Sequence, residues 1–599
     1  MGTLRTLAGL ALAAGLLAGC QEGGSGPGQD PPLHTPRWAF EPWISKDISD
    51  TDDTYAFVRG FQERDIPFGV VVLDSPWETD YNTFEPNPIR YHDFEALLDD
   101  LHADGLRLVL WCTQMVNQSS FDLEPGGDSY AGPPEIFTTA SRRGYLVNGG
   151  ATYSWWKGWG GGLDFFHPRA VEFWHALQAP LLALGVDGFK LDFGESYIDT
   201  PTLETFQGPV AHQAYSEAYY RDFYAHGVRT RGPEEFLTMV RPYDRSYQFE
   251  GRFFARPEHA PVAWVGDQRR DWLGQIDALD HMFRSARAGY AVLGSDIGGY
   301  LDRDDQDMLE TIPFRSEVFA RWTALGALSP FMQLHGRANI TPWTVPERQA
   351  EVVALYRFWS HLHHALVPFF YSLAEQAHAG GEPILRPQGD EADWPGDWRF
   401  MLGEALLVAP VLDDTGRRDV ALPAGARWYD WWAPGAAPLE GGQTLPGVDT
   451  SALERIPLYV REGAILPLQD AVLATGLGSD AAAGCLSVLV WPGPAPTGFE
   501  LHGEDDEPVQ LQAQRAAGGS RVSLSQAPRS TYLGVRAEGA PAAVRLGGEA
   551  LPALPDRAAL DAAPQGWCYQ AEARRLWVKL AAAAGERRVE IEAPRAPTP

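Results

Sequence analysis

The sequence predicts an α/β protein, a (β/α)8 TIM barrel followed by two C-terminal β-sandwich domains. From Trp38 to about residue 378, short apolar runs rich in β-branched residues alternate with helical patterns, which is typical of βαβ units around a parallel sheet. Beyond about residue 380, short strands are separated by proline and glycine, which indicates β-sandwiches. The 599 residues also exceed what one hydrophobic core organises.

Eight candidate strands supply the barrel. They span residues 38–44, 68–74, 106–112, 186–192, 236–241, 262–267, 291–296 and 331–335. The helix between the second and third strands has Phe94, Leu97, Leu98 and Leu101 on one face, with Gly105 at its end. Eight strands alternating with helices over this length favour a closed barrel with insertions over an open sheet.

Changes in composition along the chain give the domain boundaries. We assign residues 37–378 to the barrel, 379–470 to a proximal β-sandwich and 471–599 to a distal β-domain with a disordered tail. Residues 21–36 are glycine, proline and polar residues, so they predict a flexible tether.

Residues 1–20 have the pattern of an export signal. Arg5 supplies a positive charge, and an apolar run too short to span a membrane ends in Leu17-Ala18-Gly19-Cys20. This ending resembles a bacterial lipoprotein signal, in which Cys20 becomes the acylated first residue. We therefore expect a protein that is exported and anchored by lipid in the bacterial cell envelope, in the periplasm or at the outer membrane. An ordinary cleaved secretory signal is the alternative.

The composition narrows the classes of partner. A formal net charge of −31 argues against nucleic acid, because phosphate binding needs clusters of lysine and arginine. The 21 tryptophans suit clefts lined by aromatic rings, although tryptophan also fills ordinary cores. Cys112, Cys485 and Cys568 are too scattered to predict a metal site or a disulfide framework, and at most one bridge is expected. The oligomeric state stays open.

Polar side chains stand at the predicted C-terminal ends of the barrel strands, where barrel enzymes place their reactive groups. They are Asp74, Trp111, Lys190, Asp192, Arg241, Asp267, Asp296 and His335. One carboxylate at a strand end is more often a helix cap than a catalyst, but four carboxylates together with three basic residues favour a reactive site. Such a cluster suits glycosidic cleavage, in which one carboxylate attacks the anomeric carbon and another protonates the leaving oxygen. Retention and inversion of configuration remain equally open on these grounds.

Four segments resemble the motifs of glycoside hydrolase family 31, in that family's order and spacing. They are GFKLDFGE at residues 188–195, WVGD at 264–267, GSDIGGY at 294–300 and SPFMQLHG at 329–336. Residues 401–468 also look like the family's proximal C-terminal β-domain. The resemblance covers roughly residues 38–468.

The resemblance implies a role for each of these positions. Asp192 would be the nucleophile and Asp267 the general acid/base of a retaining double displacement. Asp74 would bind sugar hydroxyls in the −1 subsite, between walls formed by Trp111 and Trp264. Lys190, Arg241, Asp296 and His335 would make further −1 contacts. The family uses no metal and no organic cofactor, so none is expected.

Three departures from the family pattern leave the sugar open. Family members usually have an N-terminal β-sandwich before the barrel, whereas only the tether precedes Trp38 here, so part of the pocket is expected to be built differently. The segment after Arg241 reads RPYDRSYQFEG, and Ser295 stands where histidine is common. The default is an exo-acting α-glucosidase. α-Galactoside, α-xyloside and sulfoquinovoside are the alternatives, the last because Arg269 and Arg270 follow Asp267.

Two further alternatives concern the outcome. A surface lipoprotein that only binds carbohydrate would keep the aromatic residues but has no need for both Asp192 and Asp267. Transglycosylation would use the same catalytic residues as hydrolysis. The tryptophan-rich stretch at residues 154–162 is either a platform for the sugar in the +1 subsite or a loop folded on its own aromatic rings.

Overall fold

The computed structural model of the protein describes residues 30–120, 134–194, 197–198, 200–245, 251–304, 307–503 and 507–594. The predicted signal segment, Cys20, residues 21–29 of the tether, Glu195 of the GFKLDFGE motif and residues 595–599 of the tail lie outside these ranges. Residues 30–36 were predicted to be flexible tether, but they lie on the barrel. Thr35 is buried and its hydroxyl donates to the Pro261 carbonyl over 2.6 Å, while Asp30 pairs with Arg221 at 2.7 Å. Polar contacts therefore fix a segment that has little apolar surface to bury.

Eight parallel strands form the central sheet, as predicted. In chain order they are β1 (Trp43–Lys46), β2 (Val70–Leu73), β3 (Arg107–Cys112), β4 (Gly188–Leu191), β5 (Leu237–Val240), β6 (Val262–Trp264), β7 (Leu293–Gly294) and β8 (Gln333–Leu334). Each strand pairs with the next one along the chain from β1 to β7, and β8 pairs with β1. A parallel bridge between Asp296 and Gln333 joins the β7 and β8 segments. The ring is thereby closed into a barrel.

The first strand starts later than the sequence predicts. Residues Arg37–Phe40 form a 3-10 turn, and β1 begins only at Trp43. Trp43 N donates to the Met332 carbonyl over 2.8 Å, where pairing with β8 starts. Pro42 has no backbone N–H to extend the ladder toward the N-terminus. The apolar character of residues 38–40 instead reflects packing of Ala39 and Phe40 in the core.

Helices cover the outside of the barrel. They are Thr51–Gln62, Phe94–Ala103, Pro168–Leu184, His212–Arg231, Trp272–Arg287, Ser316–Ala327 and Gln349–His378. Their ends follow local chemistry. For example, Asp50 accepts from Asp53 N at the start of Thr51–Gln62, and Gly185 ends Pro168–Leu184 in the left-handed conformation. The predicted apolar face of Phe94–Ala103 is buried.

Three insertions follow β3, β4 and β5 at the rim where strands end. After β3 come the three-stranded sheet of Met115–Ser120, Gly158–Gly162 and Tyr153–Trp155, and the helix Glu135–Arg143. After β4 comes the hairpin Thr202–Thr205 and Gly208–Ala211. After β5 come the short strands Tyr243–Asp244 and Arg252–Phe253, which pair antiparallel. These insertions build up the side of the barrel on which the site is expected.

Two β-rich domains follow the barrel. The proximal domain has two sheets. The six-stranded sheet is formed by Leu385–Pro387, Phe400–Leu402, Leu406–Val408, Leu458–Arg461, Arg427–Asp430 and Leu439–Glu440. The two-stranded sheet is formed by Arg417–Ala421 and Thr444–Asp449. The distal domain packs a five-stranded sheet (Ile465–Gln469, Leu486–Val490, Thr531–Arg536, Arg575–Leu580, Gly566–Gln570) against a six-stranded sheet (Thr497–Leu501, Val509–Ala516, Gly519–Leu524, Arg587–Glu592, Val544–Leu546, Glu549–Ala550). It also contains the helix Arg557–Ala562. The strand Ile465–Gln469, assigned by sequence to the proximal domain, pairs within the distal sheet.

Two chemical features of the described chain bear on the sequence analysis. Cys112, Cys485 and Cys568 are all free thiols, so the single bridge that the sequence allowed is not formed. None of the helices in the described ranges combines the length and the apolar character needed to cross a bilayer.

Candidate active site

All nine residues predicted for the site lie at the C-terminal ends of the barrel strands and are buried. They are Asp74 after β2, Trp111 in β3, Lys190 in β4, Asp192 after β4, Arg241 after β5, Trp264 at the end of β6, Asp267 three residues further on, Asp296 after β7 and His335 after β8. Strand ends of a parallel barrel meet at one rim. The side chains therefore form one connected cluster.

Arg241 links three carboxylates in this cluster. Its Nε lies 2.8 Å from Asp192 Oδ1, and its Nη2 lies 2.7 Å from the same oxygen and 3.0 Å from Asp267 Oδ1. Its Nη1 donates to Asp244. The guanidinium carbon also lies 4.9 Å from the ring centre of Trp264, a favourable cation–π distance. Because a guanidinium is planar and rigid, one side chain fixes the relative positions of the acids.

Asp192 accepts hydrogen bonds from three directions. Besides Arg241, the backbone N–H of Phe193 donates to Oδ1 over 2.8 Å, and Trp111 Nε1 donates to Oδ2 over 3.0 Å. Phe193 has a positive φ of 51°, which turns the chain sharply after Asp192. Three donors around a buried carboxylate satisfy its acceptor oxygens and fix its orientation. Asp192 is therefore held in one position at the rim.

The shared arginine bounds the separation of the two candidate catalytic carboxylates. Arg241 Nη2 lies 2.7 Å from Asp192 Oδ1 and 3.0 Å from Asp267 Oδ1. The distance between these two oxygens therefore cannot exceed the sum of the two contacts. This limit applies to the two oxygens that face the arginine, and the centres of the carboxyl groups can lie further apart. The close approach is compatible with the roughly 5–5.5 Å separation of the carboxyl groups in retaining enzymes.

Asp267 is a carboxyl group with a raised pKa. Burial raises the pKa of Asp267 to about 6, and the neighbouring charges of Asp192 and Asp244 raise it while Arg241 and Lys190 lower it. A carboxyl group with a raised pKa beside a second carboxylate is a pattern expected of an acid beside a base or nucleophile. Asp267 is therefore a candidate proton donor in this pocket.

Asp296 is a second carboxyl group with a raised pKa. Burial raises its pKa to about 7, with Asp267 adding to the effect and Lys190 opposing it. Gln333 Nε2 donates to Asp296 Oδ1 over 2.7 Å, whereas Oδ2 has no hydrogen-bond partner among the described residues. A buried polar atom without a partner is costly. A sugar hydroxyl is one group that would satisfy it.

Lys190 occupies the centre of the site. Its Nζ donates to Asp74 Oδ2 over 2.7 Å and lies 3.1 Å from His335 Nε2. Burial alone would lower the pKa of Lys190, but Asp74, Asp296 and Asp192 raise it well above the ordinary value. Burial and the lysine charge together hold the pKa of His335 well below its usual range, so the imidazole is neutral.

The structure adds Asp47, which the sequence analysis missed. Asp47 follows β1 directly, is buried, and accepts from Tyr300 OH over 2.9 Å. Its Oδ1 lies 3.6 Å from His335 Nε2. Asp47, Asp74 and His335 are close enough to hold a metal ion, but the Lys190 ammonium already supplies a cation to Asp74 and His335. Because the predicted first strand ended at Ile44, Asp47 was not recognised as a strand-end residue.

An aromatic wall stands beside Asp192. Its buried members are Tyr81, Trp111, Trp155 and Phe193 together with Met115, and Trp156 and Tyr197 pack against them. Trp156 lies 6.3 Å from Trp111 and 5.8 Å from Phe193 between ring centres. The tryptophan-rich stretch thus packs largely on other aromatic rings, and Trp159 is its exposed tryptophan, at 44%.

The remaining sequence expectations concerned three side chains. Arg269 is paired with Asp271 at 3.0 Å and with Asp304, and Arg270 Nε donates to the Ile312 carbonyl over 2.6 Å. Ser295 accepts from Trp322 Nε1 over 2.9 Å, on the helix outside the barrel. All three are engaged by protein groups.

A (β/α)8 barrel with two carboxylates on one arginine at its strand ends defines a site of the glycoside hydrolase kind. The chain belongs to glycosyl hydrolase family 31. The family's TIM-barrel domain matches residues 32–373 and its C-terminal domain matches residues 381–466.

Individual relatives are distant. The chain is 25% identical to the α-xylosidase of Emericella nidulans, over 73% of this chain and 54% of that protein. It is 24% identical to the isomaltosyltransferase of Sporosarcina globispora, over 94% of this chain and 53% of that protein. It therefore spans about half the length of these relatives. The fold is like that of a family 31 dextranase from Flavobacterium johnsoniae, with a TM-score of 0.77 and 20% identity over 94% of this chain and 71% of that one.

Proposed function

We propose that the protein is an exo-acting retaining α-glycosidase that releases terminal α-linked sugars, by default glucose. The observation that carries this proposal is the arrangement of Asp192 and Asp267 on one guanidinium, with the first also bound by Phe193 N and Trp111 Nε1 and the second having a raised pKa. Both carboxylates are buried and an aromatic wall stands beside Asp192, which is compatible with a pocket that receives a chain end.

The proposed reaction has two steps. Asp192 attacks the anomeric carbon while Asp267 donates its proton to the glycosidic oxygen, so the bond to the leaving group breaks and a glycosyl ester forms. Esterification removes the charge of Asp192, one of the groups that raise the pKa of Asp267. Asp267 then becomes the stronger acid and stays ionised. In the second step it accepts a proton from water as the water attacks the ester.

The pocket favours a neutral sugar. Five carboxyl groups, Asp47, Asp74, Asp192, Asp267 and Asp296, face two cations, Lys190 and Arg241. Arg269 and Arg270, the sequence's candidates for an anionic substrate, are engaged by other groups. A sulfonated sugar would meet net negative charge. α-Xyloside is the second candidate, because relatives named α-xylosidase match about three quarters of the chain.

A panel of 4-nitrophenyl α- and β-glycosides of glucose, xylose, galactose and sulfoquinovose tests the proposal. We expect turnover of the α-glucoside and release of α-glucose as the first anomer, followed by proton NMR before mutarotation. Release of the β-anomer would rule out retention. Turnover of the xyloside alone would replace glucose by xylose, and silence across the panel in a folded enzyme would favour a carbohydrate-binding role.

The pH dependence of kcat/KM should follow Asp267. The acid must be protonated in the free enzyme, and the pKa of its carboxyl group is about 6. Below that pH the donor is fully protonated, and above it the protonated fraction falls about tenfold per pH unit. We therefore expect an alkaline limb that begins near pH 6. A rate that stays constant up to pH 8 would contradict a proton donor with this pKa.

Asp47→Asn should weaken turnover of the preferred glycoside. The substitution removes a buried charge beside Tyr300 and His335, and hydrogen bonds to charged groups contribute about 1.5–3 kcal/mol. We expect kcat/KM to fall by about 10–100-fold. Asp52→Asn, on the exposed side of the next helix, is the matched control. Equal activity of the two variants would remove Asp47 from the site.

We also propose export and lipid anchoring at Cys20, which rests on the sequence of residues 1–20 alone. Metabolic labelling with a radioactive fatty acid should mark the wild-type protein and not Cys20→Ser. Labelling of both proteins would reject this acylation site.

A further inference from the structure

Asp244 is a fully buried carboxylate that the proposed mechanism does not use. It lies on the short strand Tyr243–Asp244, three residues after Arg241, and accepts from Arg241 Nη1. On its other side, His281 Nδ1 of the helix Trp272–Arg287 lies 3.8 Å from Asp244 Oδ1. Asp244 therefore lies between the centre of the site and the helix behind it.

The loop that carries Asp267 packs directly on this ion pair. Gly266 has φ of +97°, and a Cβ atom there would lie 2.1 Å from Asp244 Oδ2 and 2.7 Å from Arg241 Nη1. Only glycine leaves room for the pair at this point. The contact is independent of the hydrogen bond between the two side chains. Asp244 thus bears on the position of Asp267 through both the arginine and the loop.

We propose that Asp244 is a positioning residue that holds the Arg241 guanidinium in the plane needed to reach both catalytic carboxylates. This inference rests on the proposed function. The side chain of Arg241 has several rotatable bonds, but its guanidinium group is planar and rigid. When Asp244 fixes Nη1, the Nε and Nη2 atoms therefore point toward Asp192 and Asp267. Without Asp244 the Nη1 atom loses the carboxylate that holds it, and the guanidinium is less firmly oriented toward the two catalytic carboxylates.

Asp244 also contributes to the electrostatics around the acid. The charged groups that face Asp267 are Arg241, Asp192, Asp244, Lys190 and Asp296. Asp244 raises the pKa of Asp267, and it shares the positive charge of Arg241. Replacing it with asparagine lowers the pKa of Asp267 by both routes. The alkaline limb of kcat/KM then moves to lower pH.

The test compares the pH dependence of kcat/KM in wild type, Asp244→Asn and Asp277→Asn, with the preferred aryl α-glycoside. Asp277 forms an exposed pair with Arg245 at 2.6 Å and makes a matched control. We expect Asp244→Asn to lose about 10–100-fold in kcat/KM and to move its alkaline limb down by about one unit. A merely structural role would lower the rate equally at every pH. An unmoved limb would overturn the proposal.

Combining Asp244→Asn with Arg241→Lys tests the route of the effect. If Asp244 acts through the guanidinium, its replacement should cost little once Arg241 is gone, so the two losses are far from additive. Additive losses would contradict the inference. An inactive wild type would instead reject the proposed function, so the two failures are distinguishable.

A second pair of variants covers the case in which Asp244→Asn does not fold. Gly266→Ala pushes on the ion pair without removing a charge, whereas Gly289→Ala has nearly the same φ, +96°, with nothing within 4 Å of the added methyl. Both share the backbone strain. We expect kcat/KM to fall at least about tenfold further in Gly266→Ala than in its control, and equal activity would overturn the proposal.

Discussion

Replacing Asp192 with alanine should reduce kcat/KM for the preferred aryl α-glycoside by at least about 10⁴-fold. The substitution removes the group that would form the covalent bond. Arg241, Phe193 N and Trp111 all donate to Asp192, and no other described carboxylate at the rim accepts from all three. Binding and acid catalysis by Asp267 would supply the residual rate. Initial rates at saturating and low substrate concentrations measure the loss in kcat and kcat/KM separately.

The truncated side chain also predicts a change of product. Azide is small enough to enter the space left by the carboxylate and can attack the anomeric carbon directly. A single displacement by azide should give the β-glycosyl azide and restore part of the rate. Asp99→Ala, an exposed aspartate on the helix Phe94–Ala103, should behave like the wild type. If Asp192→Ala keeps more than a tenth of wild-type activity, another group is the nucleophile.

The barrel was predictable because parallel strands are buried on both faces. The residues of β2, Val70–Leu73, are all buried and β-branched or leucine, which is the continuous apolar pattern such strands require. The order of strands follows from right-handed crossover connections. Each strand-end residue then had to meet the others at one rim. This is why Asp74, Lys190, Asp192, Arg241, Asp267, Asp296 and His335 could be grouped without coordinates.

Two acids escaped this reasoning for local reasons. The predicted first strand was displaced toward the N-terminus because residues 38–40 are apolar, although they form a turn. Asp47 was thereby left three residues beyond the predicted strand end. Asp244 lies in the segment noted only as a departure from the family pattern. The sequence shows that Asp244 lies three residues after Arg241, which could have suggested an ion pair. Whether the pair forms depends on side-chain rotamers, which a sequence does not fix.

The separation of the catalytic carboxylates could not be predicted either. It depends on Arg241 reaching Asp192 and Asp267 with the same nitrogen, and these residues follow three different strands. A shift of one ångström between strands would leave the sequence pattern unchanged. The choice between retention and inversion therefore needs coordinates.

Replacing Asp267 with alanine should give a loss that depends on the leaving group. A general acid contributes about 10²–10⁴-fold, and this contribution is needed when the departing group is a sugar or another poor leaving group. A 2,4-dinitrophenyl glycoside leaves readily without a proton, so its kcat/KM should stay within about tenfold of wild type. The measurement is kcat/KM for a series of leaving groups of decreasing pKa, in wild type and variant.

The same variant should lose the alkaline limb of its pH profile. That limb follows the protonated fraction of a carboxyl group whose pKa is about 6, and the group is absent from Asp267→Ala. Asp296→Ala is the discriminating control, because Asp296 also has a raised pKa, about 7, in the same pocket. It should be impaired with all leaving groups alike, since it would hold the sugar rather than protonate the leaving oxygen. If Asp296→Ala shows the leaving-group dependence and Asp267→Ala does not, the proton comes from Asp296, and the shared contact with Arg241 serves only to hold Asp267 in place.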